Sequence, residues 1–262
     1  VKHASENWII YVIEALIIVF ILYKILSARA GRSLFIRKIP GLDALDEAVG
    51  RATELGRPIH FNPGLGGLDV VALQALSILS YIIKLGARFN CRVVLTTPDA
   101  VVYTIAEEVM RESYEDGGRP ELFRADDIRF LSGDQFAFAS GVVGLISREK
   151  CAAQFLFGWY AAEALILAET GHHIGAIQIA GTPSITQIPF FVAACDYTII
   201  GDEYYAASAY ISREPTLLGS LVGQDYAKLV IVALMVLGIA GAALYYYVPI
   251  AKWYVELFRT VQ

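Results

Sequence analysis

The sequence predicts an α/β protein in three parts: a Rossmann-like, mostly parallel sheet domain flanked by an N-terminal and a C-terminal transmembrane helix. Three observations carry this. Two long apolar runs stand near the ends, at residues 8–26 and 229–250. Between them, short β-branched runs alternate with longer helical segments, the pattern of parallel strands joined by crossover helices. Finally, 56% of the 262 residues are hydrophobic and the mean hydropathy is +0.53, more than an ordinary soluble domain carries. The implied parts are a membrane helix at 8–27, an α/β domain at 34–225 and a second membrane helix at 228–250.

The first run, WIIYVIEALIIVFILYKIL, is long enough as a helix to cross the hydrocarbon core at about 1.5 Å per residue. A secretory signal peptide is the rival reading, because Ala28-Arg29-Ala30 resembles a cleavage site, but the run is longer than a usual signal core. Glu14 lies roughly 9 Å inward from Trp8 by helical rise, a costly depth for a carboxylate. It is a candidate ion or proton site in a transport or energy-transducing complex; the plainer reading is a hydrogen bond to a neighbouring helix. Lys24, Arg29, Arg32, Arg37 and Lys38 follow this run, and Arg213 and Lys228 precede the other. That bias places the central domain in the cytoplasm of a cell membrane, prokaryotic on this reading, with both termini outside.

Within the domain, strands are predicted at 57–61, 92–96, 128–131, 175–180 and 197–200, with 34–36 as an edge or lead-in. Helices are predicted at 42–55, 68–85, 101–113, 157–170 and 186–195. The helix at 68–85 is apolar nearly all round. It carries Gln74, is bounded by Asp69 and Lys84 and is flanked by strand signals, so burial within an α/β layer is expected rather than a membrane crossing. The polar stretch 113–127 reads as an exposed loop, and 132–152 as a β-hairpin insertion. The last run, 229–250, holds no charge, and its Gly238, Gly241 and Ala242 present small residues that permit close helix packing.

Composition restricts the chemistry. A net charge of −5 without a basic run gives nucleic acid no footprint. Cys91, Cys151 and Cys195 are scattered and form no CxxC pair, which suits buried thiols in a reducing compartment. No metal-ligand spacing is present: adjacent His172 and His173 fit a helix C-terminus better than a metal. In an open parallel sheet ligands bind beyond the carboxyl ends of the strands, so the candidate ligand residues are those that follow them. Asn62, Gly64, Gly66 and Gly67 form a glycine-rich turn able to approach a nucleotide phosphate or other small anion, although Asp69 stands where the fingerprint requires a third glycine. Thr182 and Ser184 offer hydroxyls at a later helix start, where capping is the commoner use, and Asp202 precedes a charged first turn. No catalytic residue stands out, since no GxSxG elbow or His-activated nucleophile is visible. No cofactor is indicated.

The stretches FIRKIPGLDALDEAVGRATELGRPIHFNPG and GAIQIAGTPSITQIPFFVAACDYTIIGDEYYAAS resemble an uncharacterised prokaryotic family of membrane-anchored proteins known only as a domain of unknown function. The resemblance covers about residues 35–225. It implies the two-part architecture and carries no activity, site residue or cofactor. The expected function is a non-catalytic membrane scaffold or accessory subunit whose partners are the lipid bilayer and further copies or other membrane subunits. The rivals are a nucleotide- or anion-binding sensor or enzyme, and the Glu14-dependent transport subunit.

Overall fold

The computed structural model describes residues 8–30, 40–212 and 215–244. The chain divides into two compact units, 1–36 with 213–262, and 37–212.

The helical unit pairs α1 (Trp8–Arg29) with α9 (Pro215–Leu244), two apolar helices that are candidate membrane spans. They run antiparallel. Arg29 Nε donates to Thr216 Oγ1 at 3.2 Å, and Lys24 Nζ stands 4.6 Å from the centre of the Tyr226 ring. A Cβ on Gly219 would lie 2.6 Å from the Ile25 Cα, and one on Gly223 3.2 Å from the Ile21 Cα. These two glycines, four residues apart on one face, are what let the backbones approach. The apolar side chains that point away, among them Leu16, Val19, Leu229 and Ile239, have no described protein against them, as expected of a lipid-facing surface.

The second unit is a six-stranded parallel sheet. Its elements in chain order are α2 (Pro40–Leu55), β1 (Ile59–Gly64), α3 (Val70–Arg88), β2 (Val93–Thr97), α4 (Ala100–Asp116), β3 (Ile128–Phe130), α5 (Gln135–Glu149), β4 (Ala153–Trp159), α6 (Glu163–His173), β5 (Ile177–Thr182), α7 (Ile188–Ala194), β6 (Tyr197–Ile200) and α8 (Glu203–Ser212). The order across the sheet is β3-β2-β1-β4-β5-β6, the doubly wound arrangement in which the winding reverses between β1 and β4. Right-handed crossovers then require the helices to change face at that point. Accordingly α2, α3, α4 and α8 cover one face, over a core that includes Leu45, Phe61, Ile78 and Phe155. Helices α5, α6 and α7 cover the other, around Phe138, Leu156, Leu167 and Phe191.

Several expectations hold. The α/β class, the parallel sheet and the flanking apolar helices are all present. Helix α3 is also long and apolar enough to cross a membrane, but half of it is buried inside the protein, against the sheet and between α4 and α8. Its nearly all-round apolarity follows from having protein on several sides.

Three expectations fail. The stretch 113–127 is not one exposed loop, because α4 runs on to Asp116 with Ser113 and Tyr114 buried, and Asp127 is buried against Arg92. The other two concern one region. The supposed hairpin at 132–152 is helix α5, started by Asp134, whose Oδ1 accepts from Phe136 N and Ala137 N. The supposed helix start at 157 is the end of strand β4, and α6 begins only at Glu163. Both errors share one cause: β4 is central and buried on both faces, so AQFLFGW shows no alternation to mark it as a strand. The lead-in at 34–36 lies outside the described residues, as do positions 245–250 of the second span. Helix α9 starts at Pro215, so its first turns extend into what reads from sequence as the α/β domain.

Candidate functional site

The carboxyl edge of the sheet collects the six connections that leave the strands, and it holds every candidate ligand residue. The switch point between β1 and β4 is where such folds open a crevice. Here it is closed. Pairing passes from Asn62↔Leu156 to Gly64↔Trp159, so β4 takes three steps where β1 takes two, which is a bulge. The bulge presses the strand ends together: a Cβ on Gly158 would collide with the Pro63 carbonyl, and one on Gly64 with the Trp159 backbone. Gly64 also has φ +85°, a conformation that favours glycine. Leu65 N donates to Trp159 O at 2.8 Å, sealing the junction.

Beneath it lies a buried polar network. Asn62 Nδ2 donates to Thr96 Oγ1 at 3.2 Å, Asn62 Oδ1 accepts from Gly64 N at 2.7 Å, and the Tyr160 hydroxyl donates to Asn62 O at 2.8 Å. His60 Nε2 lies 2.9 Å from Thr96 Oγ1. Complete burial lowers the His60 pKa to about 3, which keeps the ring neutral, and raises that of Tyr160 well above the usual phenol value. Glu163 is also buried: Gln135 Nε2 donates to one carboxylate oxygen at 2.6 Å and Ala161 N to the other at 2.8 Å. The network is internal to the unit, with His60 Nδ1 left without a hydrogen-bond partner among the described residues.

The sequence candidates are placed as follows. Asn62 and Gly64 are committed to the sealed junction, while Gly66 and Gly67 lie above it beside Trp159, Asp69 and Asp99. Thr182 is buried, its hydroxyl accepting from Ser184 N at 3.1 Å, and the Ser184 hydroxyl lies 3.0 Å from that of Thr186. Asp202 is exposed just before α8. The Asn62–Gly67 and Thr182–Ser184 turns are separated by β4 with Trp159 on it, roughly 10 Å at ordinary strand spacing, and do not converge on one point. The helix starts of α3, α4 and α5 are filled from within. Asp69 accepts from Ala72 N, Asp99 from Val101 N and Val102 N, and Asp134 from the first turn of α5. Each carboxylate occupies the backbone donors that an anion would need.

Sequence reasoning missed Trp159, Tyr160, Gln135 and Glu163 because it missed β4 and α5. The signal was the aromatic run Phe155-Leu156-Phe157 ending in Gly158-Trp159, bounded by a strand-like length. Burial raises the Cys91 pKa to about 11 and those of Cys151 and Cys195 to about 12, so none is an activated nucleophile. His172 and His173 end α6, at the opposite edge of the sheet. No group of three or more metal-binding side chains occurs among the described residues.

What the carboxyl edge does present is apolar surface. At or beside the end of each strand a large side chain is exposed: Leu68 and Ile185 in the connections after β1 and β5, Val101 and Phe136 in the first turns of α4 and α5, and Trp159 and Ile200 as the last residues of β4 and β6. Their exposure runs from 45% at Trp159 to 79% at Ile185. A separate groove of about 470 Å3 lies between α3 and α4; within its lining Ser113 bonds Ser80 and Lys84 pairs with Asp116, while the Tyr81 hydroxyl donates to Asp46.

On the helical unit, Glu14 is exposed on α1 and Gly238 and Gly241 lie on α9, as does Ala242. A Cβ at Gly238 would meet nothing within 4 Å, which leaves that position open to a helix of another chain, while Gly219 and Gly223 pack within this one.

Comparison with curated proteins gives no match. The model of a family described as a domain of unknown function, DUF6754, matches residues 2–251, and the chain belongs to that family.

Proposed function

We propose that this protein is a membrane-anchored, non-catalytic scaffold or accessory subunit, held to the bilayer by α1 and α9 and assembling through its α/β unit. The observation that carries this reading is the set of large exposed apolar side chains at the carboxyl edge of the sheet, one at or beside the end of every strand. Contiguous exposed apolar surface on a folded unit marks a place that another surface covers. The excess of cations beside the inner ends of the apolar runs supports a cytoplasmic α/β unit and outward termini in a cell membrane.

A nucleotide- or anion-binding sensor is the rival, and the aspartates that fill the first three helix starts oppose it. A thermal-shift panel of nucleotides and phosphate tests it directly: a saturable rise in melting temperature would favour the rival. Transport through Glu14 requires further chains, because two helices enclose no pathway.

The decisive measurement is the mass of the gently purified particle and the identity of the chains in it. Assembly predicts a protein mass above the 28.7 kDa of one chain. A single chain, alone in mild detergent and in lipid discs, would overturn the reading.

A further inference from the structure

The two edges of the parallel sheet differ in charge as well as in shape. The connections at the carboxyl edge, 65–69, 98–99, 131–134, 160–162, 183–187 and 201–202, contain Asp69, Asp99, Asp134 and Asp202 and no lysine or arginine. Among the described residues, the basic side chain close by is Arg129, exposed on the outermost strand β3. At the amino edge the pattern reverses around the three adjacent strands β2, β1 and β4. Arg57 precedes β1, Arg88 ends α3 ahead of β2, and Arg148 and Lys150 lie at the end of α5 ahead of β4. All four are exposed. They surround Leu55 and Phe89, which are themselves about half exposed, at 50% and 52%. The acids nearby are Glu54 and Glu115, both exposed, Asp116, which is paired with Lys84, and Glu149, which is paired with Arg92 together with Asp127; Asp126 and Asp196 lie on the flanks.

We propose that the α/β units of neighbouring copies associate head to tail, the acidic, apolar carboxyl edge of one against the basic, apolar amino edge of the next. This rests on the assembly reading above and names the partner and the contact. The charge pattern selects among the possible occupants. A second copy docking the same carboxyl edge would set aspartates against aspartates, which is unfavourable. An anionic lipid surface would be repelled by the same four carboxylates. The amino edge of another copy supplies both requirements, apolar side chains and four cations, from residues already exposed. Such an interface is heterologous: each copy retains one unused edge, so association continues into a ring or an open row.

The test uses the full chain in mild detergent with two variants, Ile185→Lys at the carboxyl edge and the double change Arg57→Glu with Lys150→Glu at the amino edge. None of these side chains is in the core, and an unchanged thermal melt verifies that each variant folds. Each variant alone is expected to associate at least about tenfold more weakly than the parent chain, as loss of a central apolar anchor or of charge pairing typically produces. Mixed together, one supplies an intact amino edge and the other an intact carboxyl edge. The mixture should therefore form pairs holding one chain of each kind, distinguishable by isotope-shifted mass. Raising the salt to 1 M should weaken the parent association, because the edge charges are screened over about 3 Å.

Particles unaltered by either variant would overturn this contact and leave the assembly reading in place. A parent chain that is single under every condition would overturn both. Loss of association in the Ile185 variant alone would assign the carboxyl edge to lipid or to its own copy, and would overturn the head-to-tail arrangement. Failure of the mixture to form mixed pairs would also overturn it.

Discussion

At the scale of single residues, the sealed switch point depends on two positions where no side chain fits. Gly158→Ala forces a methyl group into the Pro63 carbonyl, and backbone can yield little there. The change should destabilise the α/β unit by about 2 kcal/mol, in the usual range for overpacking, measurable as a lower urea midpoint. His60 gives a pH signature of known sign. Its folded pKa of about 3 lies below the unfolded value near 6.5, so between those limits the unfolded chain binds a proton that the folded chain refuses. The stability due to neutral His60 is therefore complete above about pH 6.5 and declines as the pH falls toward 3, by about 1.4 kcal/mol per pH unit. Melting temperatures from pH 7 to 4 should fall, and His60→Gln should flatten that part of the profile. An equal slope in the variant would place the titration elsewhere. Neither property was legible in the sequence. Asn62 and Gly64 were visible as a turn after a strand, but the bonds of His60 and Asn62 to Thr96, and of Tyr160 to Asn62, arise from strands paired across the sheet.

At the scale of elements, the three aspartate caps were partly legible, because Asp before an apolar helix is a local signal. Asp99→Ala leaves Val101 N and Val102 N without their acceptor and should cost about 1 kcal/mol, read from chemical denaturation. A loss within error would mean that water replaces the carboxylate without penalty. The helical hairpin gives a second test. Gly219→Leu places a side chain against the Ile25 backbone and should lower disulfide formation between cysteines introduced at Arg29 and Thr216, whereas Gly238→Leu should leave it unchanged. An equal effect of both would remove the assignment of 219 and 223 as the packing pair. Sequence alone did not single out Gly219 and Gly223, because glycine spacing within an apolar helix does not reveal which face a partner takes. Strand β4 was lost for a related reason: burial on both faces erases the periodicity by which strands are recognised, while its neighbours β1 and β5 were found from β-branched residues and the turns that follow them.

At the scale of the whole molecule, orientation and assembly are the open consequences. If the α/β unit faces the cytoplasm, trypsin added to intact cells should spare Arg124, which is exposed between α4 and β3, and should cut it in inverted vesicles. Cleavage from outside would reverse the orientation. The sequence by itself determined the class of fold and the apolar end helices, because both are written in local runs: the length of an apolar stretch, and the alternation of β-branched segments with amphipathic ones. Only the tertiary structure decided that β1 and β4 meet in a bulge where no side chain fits, that aspartates cap α3, α4 and α5, and that apolar side chains from the ends of six strands gather at one edge whose charge differs from that at the far edge. Those properties depend on which strands become neighbours and in what register. That is set by packing between segments distant in the chain, and no local run of residues records it.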